Sequence, residues 1–223
     1  MAGEAGASTG RRCPTRRTGR GQATCDRLRR VAACLFVARG YDGVSLDEIV
    51  QAAGGSKTNI YAFYGGKEGL FVAAIEAALG EVLRPLTEAD TRGLALEEGL
   101  TRLGQALIDA LLSPKALALH RTLIGETGRF PRLGAAWYAA GPATSQAAFA
   151  GFLARALAAG EDAGRAPGDP SEIAVLARLF HDMVAGDLQQ RALFETEPAG
   201  VAERAAAVAA AVRAVEALVA RRG

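Results

Sequence analysis

The sequence predicts an all-α protein, a small three-helix head followed by a larger helical body. Two observations carry the prediction. Between Ser45 and Lys67 two short helical signals flank a glycine turn, and from residue 90 onward every strong apolar period is helical while no alternating strand pattern is convincing. A length of 223 residues with 50% apolar content suffices for a substantial core.

Residues 1–23 lack an apolar period and are rich in Gly, Ala, Ser, Thr and Arg, so they read as a disordered basic arm. Residues 1–30 carry eight arginines against Glu4 and Asp26, a net +6, while the rest of the chain, with 18 basic and 22 acidic residues, is −4. Such an arm suits a salt-dependent attraction to phosphates. The first helix is expected from about Cys25, capped by Thr24, to Arg39, with Leu28, Val31, Ala32, Leu35 and Phe36 as its buried stripe and Gly40 as its end. Ser45 and Glu48 stand at the capping-box spacing, so a second helix starts at Leu46. Its stripe of Leu46, Ile49 and Val50 stops before Gly54 and Gly55, where glycine permits positive φ and a reversal. Ser56 then caps a third helix, Lys57 to Tyr64, with Ile60 and Tyr64 facing inward.

A fourth helix starts near Lys67 and repeats Leu70, Phe71, Ala74, Ile75, Ala78, Leu79, Val82 and Leu83 at helical spacing up to Pro85. It links head to body. Helices follow from about Ala95 to Leu112, from Pro114 to near Gly128, from Pro131 through Trp137 and Tyr138, and from about Ala143 to Ala159. Residues 160–168 read as a loop. Asp169-Pro170-Ser171-Glu172 places a cap, a proline at the first helical position and an acid in the first turn of the next helix, and Pro198 opens the last one, which reaches about Ala220. The domains are therefore 1–23, the arm; 24–66, the helix-turn-helix head; and 67–223, the helical body.

The third helix has the chemistry of a DNA reader. Its N-terminus offers free N–H groups to a phosphate, and Lys57, Thr58 and Asn59 lie in the turn from which such helices reach base edges. Asparagine pairs bidentately with adenine, and the threonine methyl meets a thymine methyl. Tyr61 and Lys67 suit phosphates, which fix position. The DNA-contact candidates are Ser45, Ser56, Lys57, Thr58, Asn59, Tyr61, Phe63 and Lys67. The run Gly54-Gly55-Ser56-Lys57-Thr58 is not a nucleotide loop: Ser56 breaks the required Gly-Lys pair, and a helix precedes it where a strand is needed.

The pattern L-x-x-V-A-x-x-L-F-x-x-x-G-Y-D-G-V-S-L-D-E-I-x-x-A-A-G-G-S-K-T-N-I-Y-A-F-Y-G-G-K-E-G-L-F, from Leu28 to Phe71, resembles the DNA-binding domain of TetR-family transcriptional regulators. It departs from the family's habit at Gly55, Thr58, Tyr64 and Gly66. Residues 119–133, L-H-R-T-L-I-G-E-x-x-R-F-P-R-L, with the following Trp137-Tyr138 and Gly141-Pro142, resemble the C-terminal domain of the AefR-like branch. The resemblance implies a ligand-binding and dimerisation domain in the body. A small apolar effector is expected between the fourth and eighth helices, with Trp137, Tyr138, Phe149, Phe152, Phe180 and Met183 as apolar contacts and His120 or Glu126 as polar ones.

The last two helices are apolar over wider arcs than one core needs, with Val201, Ala205, Val208, Val212, Val215 and Leu218 along the final helix. They are expected to pair with their copies as a four-helix bundle, giving a homodimer suited to a palindromic operator on double-stranded DNA. Cys13, Cys25 and Cys34 match no zinc spacing, and His120 and His181 form no catalytic constellation, so neither metal, cofactor nor catalysis is expected. With no signal-peptide core and no membrane span in the pattern, the chain reads as cytoplasmic and free of membrane. The expected function is transcriptional repression relieved by the effector. A helical protein-interaction module with nonspecific nucleic-acid contact through the arm is the rival.

Overall fold

A computed structural model describes residues 19–159, 169–194 and 199–221, which form ten α-helices and no strand among the described residues. They are α1 (Gly19–Arg39), α2 (Leu46–Ala53), α3 (Lys57–Tyr64), α4 (Lys67–Thr87), α5 (Leu96–Leu111), α6 (Pro114–Thr127), α7 (Pro131–Ala140), α8 (Pro142–Ala159), α9 (Pro170–Leu193) and α10 (Val201–Ala220). No helix among the described residues is long and apolar enough to cross a membrane.

The head is built as its caps dictate. The Ser45 hydroxyl accepts the Glu48 N–H at 3.2 Å, and the Glu48 carboxylate accepts the Ser45 N–H at 2.7 Å, a closed capping box. Ser56 accepts the Asn59 N–H at 3.2 Å and starts α3. Gly54, at φ 72°, turns the chain between the two helices. Leu28, Ala32 and Phe36 of α1, Ile49 of α2 and Ile60 of α3 close over Leu70, Phe71, Ala74 and Ile75 of α4.

That core does not stop at residue 66. Leu119 and Leu123 of α6, Phe130, and Leu133 of α7 belong to the same buried cluster. A second cluster fills the body, where Phe149, Phe152 and Phe180 pack with leucines of α5 and with Val208, Val212, Val215 and Val219 of α10. The body's helices obey local rules at their starts: Ser113 and Asp169 cap α6 and α9, each followed by a proline at the first helical position.

Four expectations change. Helix α1 begins at Gly19, so residues 19–23 belong to it rather than to an arm, and Thr24 lies inside the helix instead of capping it. The extra turn has no apolar period to betray it. It continues into Asp26, which accepts from Gln22 at 3.2 Å and pairs with Arg29. Pro85 sits inside the last turn of α4, whose end is Thr87, with Leu86 buried beyond the proline. The six residues expected on one stripe of α10 divide: Val208, Val212 and Val215 are buried in the subunit, while Val201, Ala205 and Leu218 face out. The last helix starts at Val201 with Gly200 as N-cap, and Pro198, like residues 1–18 and the expected loop at 160–168, lies outside the described residues.

Candidate nucleic-acid interface and internal cavity

Helix α3 turns Ile60 into the core and leaves Lys57, Thr58 and Tyr61 exposed, Tyr61 with 60% of its surface free. Asn59 and Phe63 are half-buried at the edges of that face. Tyr64 is held from behind, its hydroxyl donating to the Cys25 carbonyl of α1 at 3.3 Å. Two glycines follow. Gly65 at φ 76° closes α3 by donating its N–H to the Tyr61 carbonyl at 3.0 Å, and Gly66 adopts φ 132°, a region side chains avoid. A Cβ on Gly66 would meet the Tyr61 ring at an ordinary contact distance of 3.5 Å, so it is the backbone conformation, not space, that favours glycine there.

The charges around this face are already engaged. Lys57 Nζ pairs with Asp47 at 2.8 Å, both side chains exposed, and Lys67 Nζ stands 4.3 Å over the Tyr41 ring. Arg39 donates to Glu48 at 2.8 Å. The Ser45 N–H first, and Arg39 next, hold the Glu48 carboxyl down to about 2. Ser45 and Ser56 accept backbone N–H groups, and the Ser45 hydroxyl also helps to hold the Glu48 carboxylate. Arg27 was not among the expected contacts. A Cβ on Gly54 would sit 2.8 Å from its guanidinium, so this exposed arginine lies over the turn beside α3. The concentration of arginine in residues 1–30 was the signal for it.

Inside the body a cavity opens between α4, α5, α6, α7, α8 and α9. The centre of a water-sized sphere can sweep about 50 Å³ within it. Leu79, Val82, Leu83, Leu107, Leu119 and Leu123 make apolar walls, and Trp137, His120, Gln189, Ser145 and His181 complete the lining. Of the eight expected effector contacts, only His120 and Trp137 reach it, edge to face with ring centroids 5.5 Å apart. Phe149, Phe152 and Phe180 are fully buried in the body core instead. Tyr138 is exposed, and Met183 is exposed on the outer face of α9.

Glu126 does something else. Its Oε1 accepts the Tyr41 N–H at 3.1 Å, in the loop between α1 and α2. One turn on, Arg129 pairs with Asp42 and lies 5.2 Å from the Tyr41 ring, and Phe130 packs against Tyr41 with the rings tilted by 56° and centroids 4.5 Å apart. Helix α6 thus lines the cavity with Leu119, His120 and Leu123, and its C-terminal end grips the head. His181, Ser145 and Gln189 were not foreseen. A single histidine and a single serine interrupting apolar helical runs were the available signals.

An exposed recognition face on a capped short helix, carried by an all-α body, defines a helix-turn-helix DNA-binding regulator. Residues 28–74 match the model of bacterial regulatory proteins of the tetR family, and residues 98–221 match that of the C-terminal domain of AefR-like transcriptional repressors. The chain belongs to the TetR family of transcriptional regulators. It is 28% identical to a candidate TetR-family regulator of Mesorhizobium loti, over 91% of this chain and 98% of that one, with a TM-score of 0.68. The flavonoid-responsive regulator FrrA is also 28% identical, over 90% and 97% of the two chains, at a TM-score of 0.70. CifR, solved with a 26-base-pair operator, shares the fold at 24% identity and a TM-score of 0.53, over 86% and 98% of the chains. No curated protein sequence matches at a significant level.

Proposed function

We propose that the protein is a cytoplasmic homodimeric repressor that holds a palindromic operator and releases it when a small apolar molecule enters the cavity of the body. It acts by binding, without catalysis or cofactor. The observation that carries the reading is the exposed face of α3, with Lys57, Thr58 and Tyr61 outward beside the Ser45 and Ser56 caps. On DNA, Lys57 exchanges Asp47 for a phosphate. Asn59 reads an adenine edge, Phe63 packs at the groove edge, and Lys67 and Arg27 hold phosphates on either side. The basic N-terminal residues add a salt-dependent term.

The effector acts only through a difference in affinity between two dimer shapes. A hundredfold release requires about 2.7 kcal/mol of such coupling. Helices α4 and α6 both line the cavity and both reach the head core, which supports a path from ligand to recognition helix.

Selection of bound sequences from a random duplex pool tests the reading, run with wild type and with Tyr61→Ala. An enriched palindrome that Tyr61→Ala loses, with thermal stability unchanged, is the expected result. Salt-sensitive binding with no enriched motif would sink it in favour of the interaction module.

A further inference from the structure

The cavity specifies the kind of molecule it accepts. Among the described residues, no lysine, arginine, aspartate or glutamate lines it. Its two histidines are pushed toward the neutral form by burial. The decisive detail is the proton on His181. The Ser145 Oγ lies 2.9 Å from the Pro142 carbonyl oxygen, 3.4 Å from that of Gly141 and 2.9 Å from His181 Nδ1. A carbonyl oxygen only accepts, so the 2.9 Å contact to Pro142, reinforced by the longer one to Gly141, favours placing the single hydroxyl proton on the carbonyl side. With the proton so placed the Ser145 oxygen accepts, and the Nδ1 of His181 carries the hydrogen that it receives. A neutral imidazole with its proton on Nδ1 has a bare lone pair on Nε2. Among the described residues no other hydrogen-bond partner of this ring is present.

We propose that the cavity binds a small, uncharged, largely apolar molecule that carries a hydroxyl group, and that His181 reads the hydroxyl by accepting its proton at Nε2. Leucine walls take the apolar body, and Trp137 closes one side. The neutral, cation-free lining rejects carboxylates, because a buried anion without a partner costs far more than the apolar contact returns. Ser145 is a positioning residue that sets the histidine tautomer. The proposal rests on the effector reading only for its consequence on DNA; the ligand class stands on the cavity alone.

Calorimetric titration of the full chain with p-cresol, toluene and p-toluate tests it, on wild type and on His181→Leu and Ser145→Ala. The expected result is saturable binding of p-cresol at least as tight as toluene, with no binding of p-toluate. His181→Leu should weaken p-cresol about tenfold and leave toluene undiminished, since only the hydroxyl loses its partner. Ser145→Ala, which frees the tautomer, should weaken p-cresol severalfold and serves if the leucine variant does not fold. Failure of p-cresol to saturate, equal losses for p-cresol and toluene in both variants, or binding of p-toluate overturns the proposal. Operator release is read separately: hydroxyl-dependent binding that leaves the DNA complex intact would keep the ligand class and sink the effector reading.

Discussion

Gly99 lies where α5 meets α8, and a Cβ there would come within 2.0 Å of Cζ of the Phe152 ring, itself buried. Gly80, in the exposed middle of α4, would meet nothing within 4 Å. The same substitution should therefore change sign between them. Gly99→Ala overpacks the body core and should destabilise by about 1–3 kcal/mol, while Gly80→Ala should stabilise by roughly 0.5–1 kcal/mol through helix propensity; thermal unfolding of the two variants checks both. The histidines supply a pH signature. Burial lowers the pKa of His120, and burial does the same to His181 against a smaller opposing effect of Asp182. The unfolded chain therefore binds more protons as acidity rises, so stability is fully present above about pH 6.5 and falls as pH drops below it. The midpoint of denaturant unfolding should be flat from pH 8 to 7 by this account and decline between about 6.5 and 5, with the decline reduced in His181→Gln. Glu48, held near 2, contributes its own loss only at lower pH, because a depressed carboxylate stabilises above its unfolded pKa and loses this as pH falls.

At the scale of the element, α6 is the helix whose two ends have different tasks. Leu119, His120 and Leu123 face the cavity, and Glu126 with Arg129 and Phe130 hold Tyr41 and Asp42. Replacing Glu126 and Arg129 together by alanine removes the polar grip while keeping Phe130 and the leucines. Amide hydrogen exchange should then quicken at least about tenfold in the Tyr41–Ser45 loop and stay unchanged in α10; equal protection in both proteins would show that α6 does not restrain the head. Short elements with strong caps were legible from sequence. Ser45 with Glu48 and Ser56 with its free first turn define α2 and α3 to the residue, because capping is local chemistry. The start of α1 was not, since residues 19–23 offer no apolar period. The cavity was not legible either. Trp137, Phe149, Phe152 and Phe180 are alike in a sequence, and which aromatic lines a void depends on helices far apart in the chain. Glu126 looked like a ligand contact because its partner, Tyr41, stands 85 positions away.

Across the whole molecule, apolar surface remains after both cores are filled. On α9, Val175, Leu179 and Met183 recur four residues apart and are 44%, 40% and 40% exposed, and Leu218 of α10 beside them is 38% exposed. Their spacing makes one stripe, and a shallow groove joins Val175, Leu176 and Leu179 to Leu218. Buried neighbours on the same helices, Ile173, Leu176, Phe180, Val208 and Val215, already hold the subunit together. The outward stripe is therefore surplus to the monomer and suited to a second copy across a two-fold axis. Val175→Arg with Leu179→Arg should leave the helical content and a cooperative melt in place, because both side chains are exposed. Analytical sedimentation should find a monomer. Binding to the selected palindrome should fall at least about a hundredfold, since the second half-site would lose the effective concentration that linkage to the first provides. Binding to a single half-site should not change. A dimer that persists with both arginines in place would move the interface elsewhere on the body, and unchanged palindrome affinity in a proven monomer would mean that each head recognises DNA without its partner.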